Sequence, residues 1–153
     1  RRMNLMMVYA AALSGSKRLG PELITNGLFP ENTSGWVASN STLSAPSGRL
    51  IITANGGVPA RATQAFATTA GRTYEVSFIV RVISGTSACG AFISGVGTSS
   101  AYGNSTTDTA RTFTFVAASS STTLVLDMSG ATVAATQVEF DNVSVRQVAI
   151  HGE

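Results

Sequence analysis

The sequence predicts an all-β fold, an antiparallel β-sandwich of the jelly-roll type, behind a short N-terminal arm. Roughly a quarter of the 153 residues are serine or threonine, and only 12% are charged. Such a composition favours strands and turns over helices. After Gly20, about eight to ten short segments of strand character follow one another, separated by turns that contain glycine and asparagine. Because strands of that number and length commonly pack as two antiparallel sheets, we expect a jelly roll.

The length is that of one domain, long enough to bury a core. We divide the chain into an arm, a sandwich and a tail, which cover residues 1–20, 21–148 and 149–153. The predicted strands are 21–27, 35–38, 48–54, 61–66, 73–83, 88–96, 111–116, 123–128 and 137–148. The predicted core contains the aromatic residues Trp36, Phe66, Tyr74, Phe78, Phe113, Phe115 and Phe140.

The last predicted strand changes its pattern partway along. Val138 and Phe140 occupy even positions, whereas the later apolar residues Val143 and Val145 occupy odd ones. Since side chains alternate between the faces of a strand, this change predicts a β-bulge at Asp141-Asn142. An acid at a bulge is a candidate for an ion ligand or for a backbone cap, and the pattern alone leaves both open.

The positive charge is concentrated at the start of the chain. The first eighteen residues contain four basic residues and no acid, whereas six arginines face eight acids from Pro21 onward. The basic pI of about 9.1 therefore comes from the arm. The sandwich itself is mildly acidic, so we expect no nucleic-acid-binding face.

The arm also contains an apolar run, residues 3–13, that is rich in helix-forming residues. Exposed apolar residues beside a self-sufficient domain need a surface to cover them, so we expect the arm to dock onto a partner subunit. A signal peptide and an arm folded back onto its own domain are the alternatives. The predicted docking residues are Arg1, Arg2, Leu5, Met6, Met7, Val8, Tyr9, Leu13, Lys17 and Arg18.

The predicted loop 98–109 contains the candidate carbohydrate-binding residues Tyr102, Asn104 and Asp108. Tyr102 is the one aromatic residue predicted on a loop, where its ring could stack on a sugar while neighbouring amide and carboxylate groups bind hydroxyls. It could equally pack beneath the loop or contact a neighbouring subunit.

Catalytic groups are scarce in this sequence. His151 is the only histidine and follows the last strand, while the lone Cys89 is expected to be a buried small hydrophobe. The acids Asp127 and Glu139 could face each other on neighbouring strands, but an exposed polar face is the preferred interpretation of that pair. We therefore expect no enzymatic activity and no catalytic cofactor.

Three short blocks resemble the carbohydrate-binding-module jelly rolls of the family 4/9/22 type. They are 22–29 with Gly35-Trp36, 70–78 and 140–145, in the family's order, and the resemblance covers residues 21–148. It implies a structural calcium held by Asp141 together with Asn26 and Glu31. The family's acidic partner is displaced here, because Pro30 precedes Glu31. Asp141 as a cap of the bulge remains the alternative.

Chains with a short apolar arm before such a module also resemble bacteriophage virion proteins. We therefore expect a non-catalytic structural or decoration protein of a capsid, tail or fibre, on the outer surface of the virion. The arm would anchor it to other virion subunits, the protein would be homo-oligomeric, and a host cell-surface glycan is a further expected partner. The alternative is an extracellular protein, either a secreted carbohydrate-binding module or a cell-surface adhesin domain.

Overall fold

A computed structural model describes residues 16–85, 87–96, 100–130 and 132–150. Within these ranges, the regular secondary structure consists of eleven β-strands. They are β1 Lys17–Leu19, β2 Val37–Ser39, β3 Ser41–Ser44, β4 Leu50–Ala54, β5 Arg61–Ala67, β6 Thr73–Ser84, β7 Cys89–Ile93, β8 Ser100–Gly103, β9 Thr109–Val116, β10 Ser121–Met128 and β11 Gln137–Ile150. No helix in these ranges is long and apolar enough to cross a membrane.

The strands form two antiparallel sheets that pack face to face. The six-stranded sheet has the order β3-β4-β11-β6-β9, with β1 added beside β11. The five-stranded sheet has the order β2-β5-β10-β7-β8. The predicted all-β sandwich of the jelly-roll type is confirmed.

The core lies between the sheets and includes most of the predicted aromatic residues. Trp36, Phe66, Tyr74, Phe78, Phe115 and Phe140 are all buried. Phe113 is only partly buried, because it lies on the edge strand β9. Phe29 was not predicted in the core, yet it is fully buried, and its ring centroid lies 5.7 Å from that of Trp36. Cys89 is buried as predicted, and burial raises the pKa of its thiol to about 11.

The structure differs from the strand predictions in four places. Residues 21–27, predicted as a strand, run alongside β11 without forming a regular strand. The segment 98–109, predicted as a loop, contains β8. The short edge strand β3 was missed, because Ser41–Ser44 has few apolar residues to mark it. The predicted arm also contributes to the sandwich, since Lys17–Leu19 forms β1 and pairs with Val148–Ile150.

The predicted bulge in the last strand is confirmed. The register of β11 against β6 shifts between Asp141 and Ser144, and Asn142 has a positive φ of 50°. The Asp141 Oδ1 accepts a hydrogen bond of 2.8 Å from the backbone N–H of Asn142. Asp141 therefore caps the bulge, as one of the two interpretations expected.

A different carboxylate fastens the N-terminal segment to the last strand. Glu22 accepts hydrogen bonds from the Ser144 hydroxyl at 2.5 Å, the Val145 N–H at 2.9 Å and the Arg146 Nε at 3.3 Å. Partial burial alone would raise the pKa of Glu22, but the hydrogen bonds outweigh it and hold the pKa below its ordinary value. Glu22 thus connects the N-terminal segment directly to β11.

Gly27 brings the two segments into direct contact. Its carbonyl accepts a 3.0 Å hydrogen bond from the Val143 N–H. A Cβ at this position would lie 2.0 Å from the Val143 carbonyl oxygen, so only glycine allows the approach.

Candidate functional site

The outer face of the five-stranded sheet has two parallel rows of side chains. The strand registers align one row across all five strands, which we call the polar row: Ser39, Arg61, Asp127, Gly90 and Tyr102. Arg61 and Asp127 are the only charged residues in these five strands. A charged pair on a sheet that otherwise lacks charge marks this row as the candidate site.

The second row, which we call the apolar row, lies two residues along each strand, about 7 Å away. Its members are Val37, Thr63, Val125, Phe92 and Ser100. Phe92 is half-buried, and Val37 is 64% exposed. The two rows together place an aromatic and aliphatic surface directly beside hydrogen-bonding groups.

Asp127 connects Arg61 and Tyr102 within the polar row. Its Oδ1 accepts a hydrogen bond of 2.6 Å from the Tyr102 hydroxyl, and its Oδ2 accepts one of 3.4 Å from the Arg61 Nε. Only 2% of Asp127 is exposed. Burial raises the pKa of Asp127 above its ordinary value, although Tyr102 and Arg61 each oppose the rise. Burial and the hydrogen bond to Asp127 also raise the pKa of Tyr102.

Gly90 permits the contact between Tyr102 and Asp127. These residues lie on β8 and β10, which are separated by β7, so their backbones are about 10 Å apart. Gly90 occupies the intervening position and has no side chain to obstruct the tyrosine. A Cβ on Gly90 would also lie 2.0 Å from the Ala101 carbonyl oxygen, so alanine at this position would push β8 away.

Arg61 is oriented by two neighbours. Its guanidinium carbon lies 5.4 Å from the centroid of the Phe92 ring, within the range of a cation–π interaction. The Nε donates to Asp127, as described above. Because the guanidinium is held on two sides, its direction on the sheet face is defined although 40% of the side chain is exposed.

The structure separates the three predicted carbohydrate-binding residues. Tyr102 belongs to β8 and contributes to the polar row, while Asn104 is exposed just after that strand. Asp108 lies by the other sheet, where its two carboxylate oxygens accept hydrogen bonds of 2.9 and 2.8 Å from Arg49. These hydrogen bonds lower the pKa of Asp108. Asp108 is therefore paired with Arg49 and does not belong to the polar row, and the carbohydrate-binding role of the three residues stays a prediction.

Asp127 and Glu139 do not lie on neighbouring strands, and they do not form the exposed polar face that was the preferred interpretation. Asp127 lies on β10 of one sheet, and Glu139 lies on β11 of the other. Both carboxylates are buried, and arginine partners offset the cost of burying their charge. The partner of Asp127 is Arg61, and the partners of Glu139 are Arg49 and Arg81.

The three implied calcium ligands have different surroundings. The Asp141 carboxylate contacts its own bulge and lies 3.7 Å from the Arg49 Nε. The Asn26 amide donates to the Asn32 and Ser34 carbonyls, and Glu31 is exposed. Among the described residues, no group of three or more His, Cys, Asp or Glu side chains is placed to hold a metal. The calcium stays a prediction from the resemblance.

Most of the predicted docking residues, from Arg1 to Leu13, lie outside the described residues. Lys17 and Arg18 are described and are exposed in β1. The Lys17 ammonium pairs with Glu75 on β6 at 2.7 Å, a contact within the domain.

A groove of about 490 Å³ runs beside the bulge, away from the two rows. Its lining includes Glu22, Ile24, Leu28, Pro30 and Arg146, and contains no aromatic residue. The groove therefore offers no ring on which a sugar could stack, and the sheet face is the stronger candidate.

Sequence reasoning missed Arg61, Phe92 and Gly90, and it did not connect Asp127 with Tyr102. One signal was present, since Asp127 interrupts the apolar run Leu124-Val125-Leu126 and Met128. A charge within such a run needs a partner. The arginine that begins β5 could have been proposed, but only the strand order shows that β5 and β10 are adjacent.

No protein-family model matches the sequence, and the comparison with curated proteins gives no match. Solved structures do match. A structure titled "CBM4 structure and function" shares 19% identity, with 81% of this chain and 99% of that chain covered and a TM-score of 0.63. The N-terminal cellulose-binding domain of Cellulomonas fimi β-1,4-glucanase C shares 17% identity over 83% and 97% of the chains, with a TM-score of 0.63.

Two further comparisons bear on the sequence predictions. Modules named CBM22 and CBM61 are also similar, and some similar structures are segments of enzymes. The enzymatically active domain of tailspike protein 4 from bacteriophage CBA120 shares 14% identity over 82% of this chain and 21% of that chain, with a TM-score of 0.62. At these identities the likeness shows the fold. This chain is thus similar in fold to carbohydrate-binding-module jelly rolls, as the sequence blocks indicated.

Proposed function

We propose that this domain binds carbohydrate on the outer face of its five-stranded sheet, without catalysis. The observation that carries the proposal is the adjacency of the polar row and the apolar row. Sugar recognition needs a ring or aliphatic surface for the pyranose face and nearby donors and acceptors for hydroxyls. The similarity in fold to modules named for cellulose and xylan binding supports it.

Each row has a separate task in this proposal. Phe92, which is half-buried, contacts the apolar face of a sugar ring, while Tyr102 and Arg61 contact hydroxyl or charged substituents. Asp127 acts through these two residues, because both of its oxygens already accept hydrogen bonds from them. A side chain that is fixed before binding loses little rotamer freedom on binding, which favours affinity.

Affinity electrophoresis of the full chain against a panel of β-glucans, xylans, galactans and uronate polymers tests the proposal. We expect retardation by at least one polymer, and a loss of about tenfold in affinity for Tyr102→Ala and Phe92→Ala. Val116→Ala is the matched control, because Val116 is 54% exposed on β9 of the other sheet. Binding that none of these substitutions changes would place the site elsewhere, and no retardation by any polymer would refute the function.

The virion role predicted from the sequence is a second candidate, favoured only by the tailspike similarity. In that role the domain is carried on the outside of a particle, and residues 1–15 attach it to neighbouring subunits. Removal of residues 1–15, which leaves β1 in place, is expected to prevent incorporation while the domain stays folded. Unchanged incorporation of the shortened protein into particles would contradict the virion role and leave an extracellular carbohydrate-binding module as the candidate function.

A further inference from the structure

We infer that the glycan bound at this face is acidic, and that Arg61 recognises a carboxylate of a uronic acid or a similar sugar acid. The inference rests on the proposed function and specifies its ligand class. It starts from the guanidinium of Arg61, whose terminal nitrogens are directed to no protein acceptor in the described part of the chain.

A guanidinium has five N–H donors in a planar fork, and only the Nε of Arg61 is used by Asp127. The four donors on the two terminal nitrogens remain for a ligand. Arg49 shows the contrast, because both of its terminal nitrogens donate to Asp108. The open fork of Arg61 therefore has the geometry that binds a carboxylate through two parallel hydrogen bonds.

The fork is fixed before a ligand arrives. Phe92 supports one face of the guanidinium and Asp127 holds its Nε edge, so the terminal nitrogens keep one direction on the sheet. A side chain ordered in advance loses less conformational entropy for each hydrogen bond that it forms.

The remaining charge on the face does not repel an anion strongly. Asp127 is the only acid in the five strands, and both of its oxygens are occupied and buried. Burial also raises its pKa, which favours its neutral form relative to an exposed aspartate. A ligand carboxylate would meet the exposed side of Arg61, away from the Nε edge that faces Asp127.

The matched ligands are uronate polymers and their carboxyl-reduced forms, which keep the same backbone but have a neutral hydroxymethyl group in place of each carboxylate. Full-chain protein is titrated calorimetrically with oligosaccharides of polygalacturonate, glucuronoxylan and alginate in both forms. We expect at least one acidic form to bind about tenfold or more tightly than its reduced form, since hydrogen bonds to charged groups are stronger than those between neutral groups. The preference should decrease with added salt.

Arg61→Gln should bring the two affinities within about twofold, and Arg61→Lys should lose most of the preference, because an ammonium lacks the planar fork. Arg72→Gln is the control, since Arg72 is exposed in the turn after β5, at the opposite end of that strand from Arg61. Equal or tighter binding of the reduced forms by the unmodified protein would overturn the inference and leave Arg61 as a structural partner of Asp127, with carbohydrate binding intact. A protein that binds neither form, nor any neutral polymer, would overturn the proposed function as well.

Discussion

The hydrogen bond between Tyr102 and Asp127 provides the sharpest test of the polar row. Tyr102→Phe removes the 2.6 Å hydrogen bond to the Asp127 carboxylate and leaves Arg61 as its remaining partner. Asp127 is only 2% exposed. Because the acceptor is charged and buried, we expect the free energy of unfolding to fall by about 1.5–3 kcal/mol at neutral pH. Urea denaturation under two-state conditions measures the change.

The pH dependence of that loss identifies its cause. Folding raises the pKa of Asp127 above its ordinary value of 3.8, and removal of the tyrosine donor should raise it further. The folded variant then takes up its proton at a higher pH than the folded wild type, so the loss shrinks as pH falls through the raised folded pKa values. At low pH a neutral hydrogen bond remains, and the difference should approach about 1 kcal/mol.

Tyr74→Phe is the matched control for this experiment. The Tyr74 hydroxyl accepts a 2.8 Å hydrogen bond from the Thr69 N–H, with no charged partner. Removal of this hydroxyl should lower the free energy of unfolding by about 1 kcal/mol at every pH. A Tyr102→Phe variant that loses less than about 0.5 kcal/mol, or whose loss does not vary with pH, would refute the assignment of Asp127 as a charged acceptor.

Two further predictions concern the connection between the N-terminal segment and β11. Glu22→Gln should lower the free energy of unfolding at neutral pH. The contribution of Glu22 is fully present above its ordinary pKa of 4.5 and is lost as pH falls through its lower folded pKa, so the difference should vanish in acid. A difference that grows in acid during urea titrations would contradict this. Gly27→Ala should cost about 3 kcal/mol or more, since its Cβ would lie 2.0 Å from the Val143 carbonyl oxygen. Gly20→Ala, whose nearest contact would be 3.6 Å, should change the thermal midpoint little, and equal effects of the two would exclude the steric explanation.

The strand pattern was predictable wherever apolar and polar residues alternate over a long segment. The predicted strand 73–83 corresponds to β6, Thr73–Ser84, and the parity change in the last strand located the bulge correctly. Such features depend only on which face each residue occupies. The wrong predictions were short segments, such as β3 and β8, whose pairing with a neighbour determines their structure.

The role of Asp141 shows a limit of local reasoning. Its position at the bulge was predicted correctly, but the carboxylate that fastens the N-terminal segment is that of Glu22. Both acids lie near the crossing of the same two segments, so the sequence pattern could not distinguish them. The distinction depends on which residues of β11 lie beside the N-terminal segment, and the Val145 N–H rather than Asp141 contacts Glu22.

The candidate site was the least predictable part because its members come from four strands that are distant in sequence. Arg61, Gly90, Tyr102 and Asp127 become neighbours only through the order β5-β10-β7-β8. Each residue alone has an ordinary local explanation. Arg61 begins a strand and Gly90 is a flexible residue, while Tyr102 was predicted on a loop and Asp127 on an outward face. Their alignment is what gives them a shared function, since Gly90 provides the space through which Tyr102 reaches Asp127, and Asp127 in turn orients Arg61. Substitution of Gly90 should therefore change the orientation of Arg61, two strands away. The sequence of β7 alone would not predict that effect.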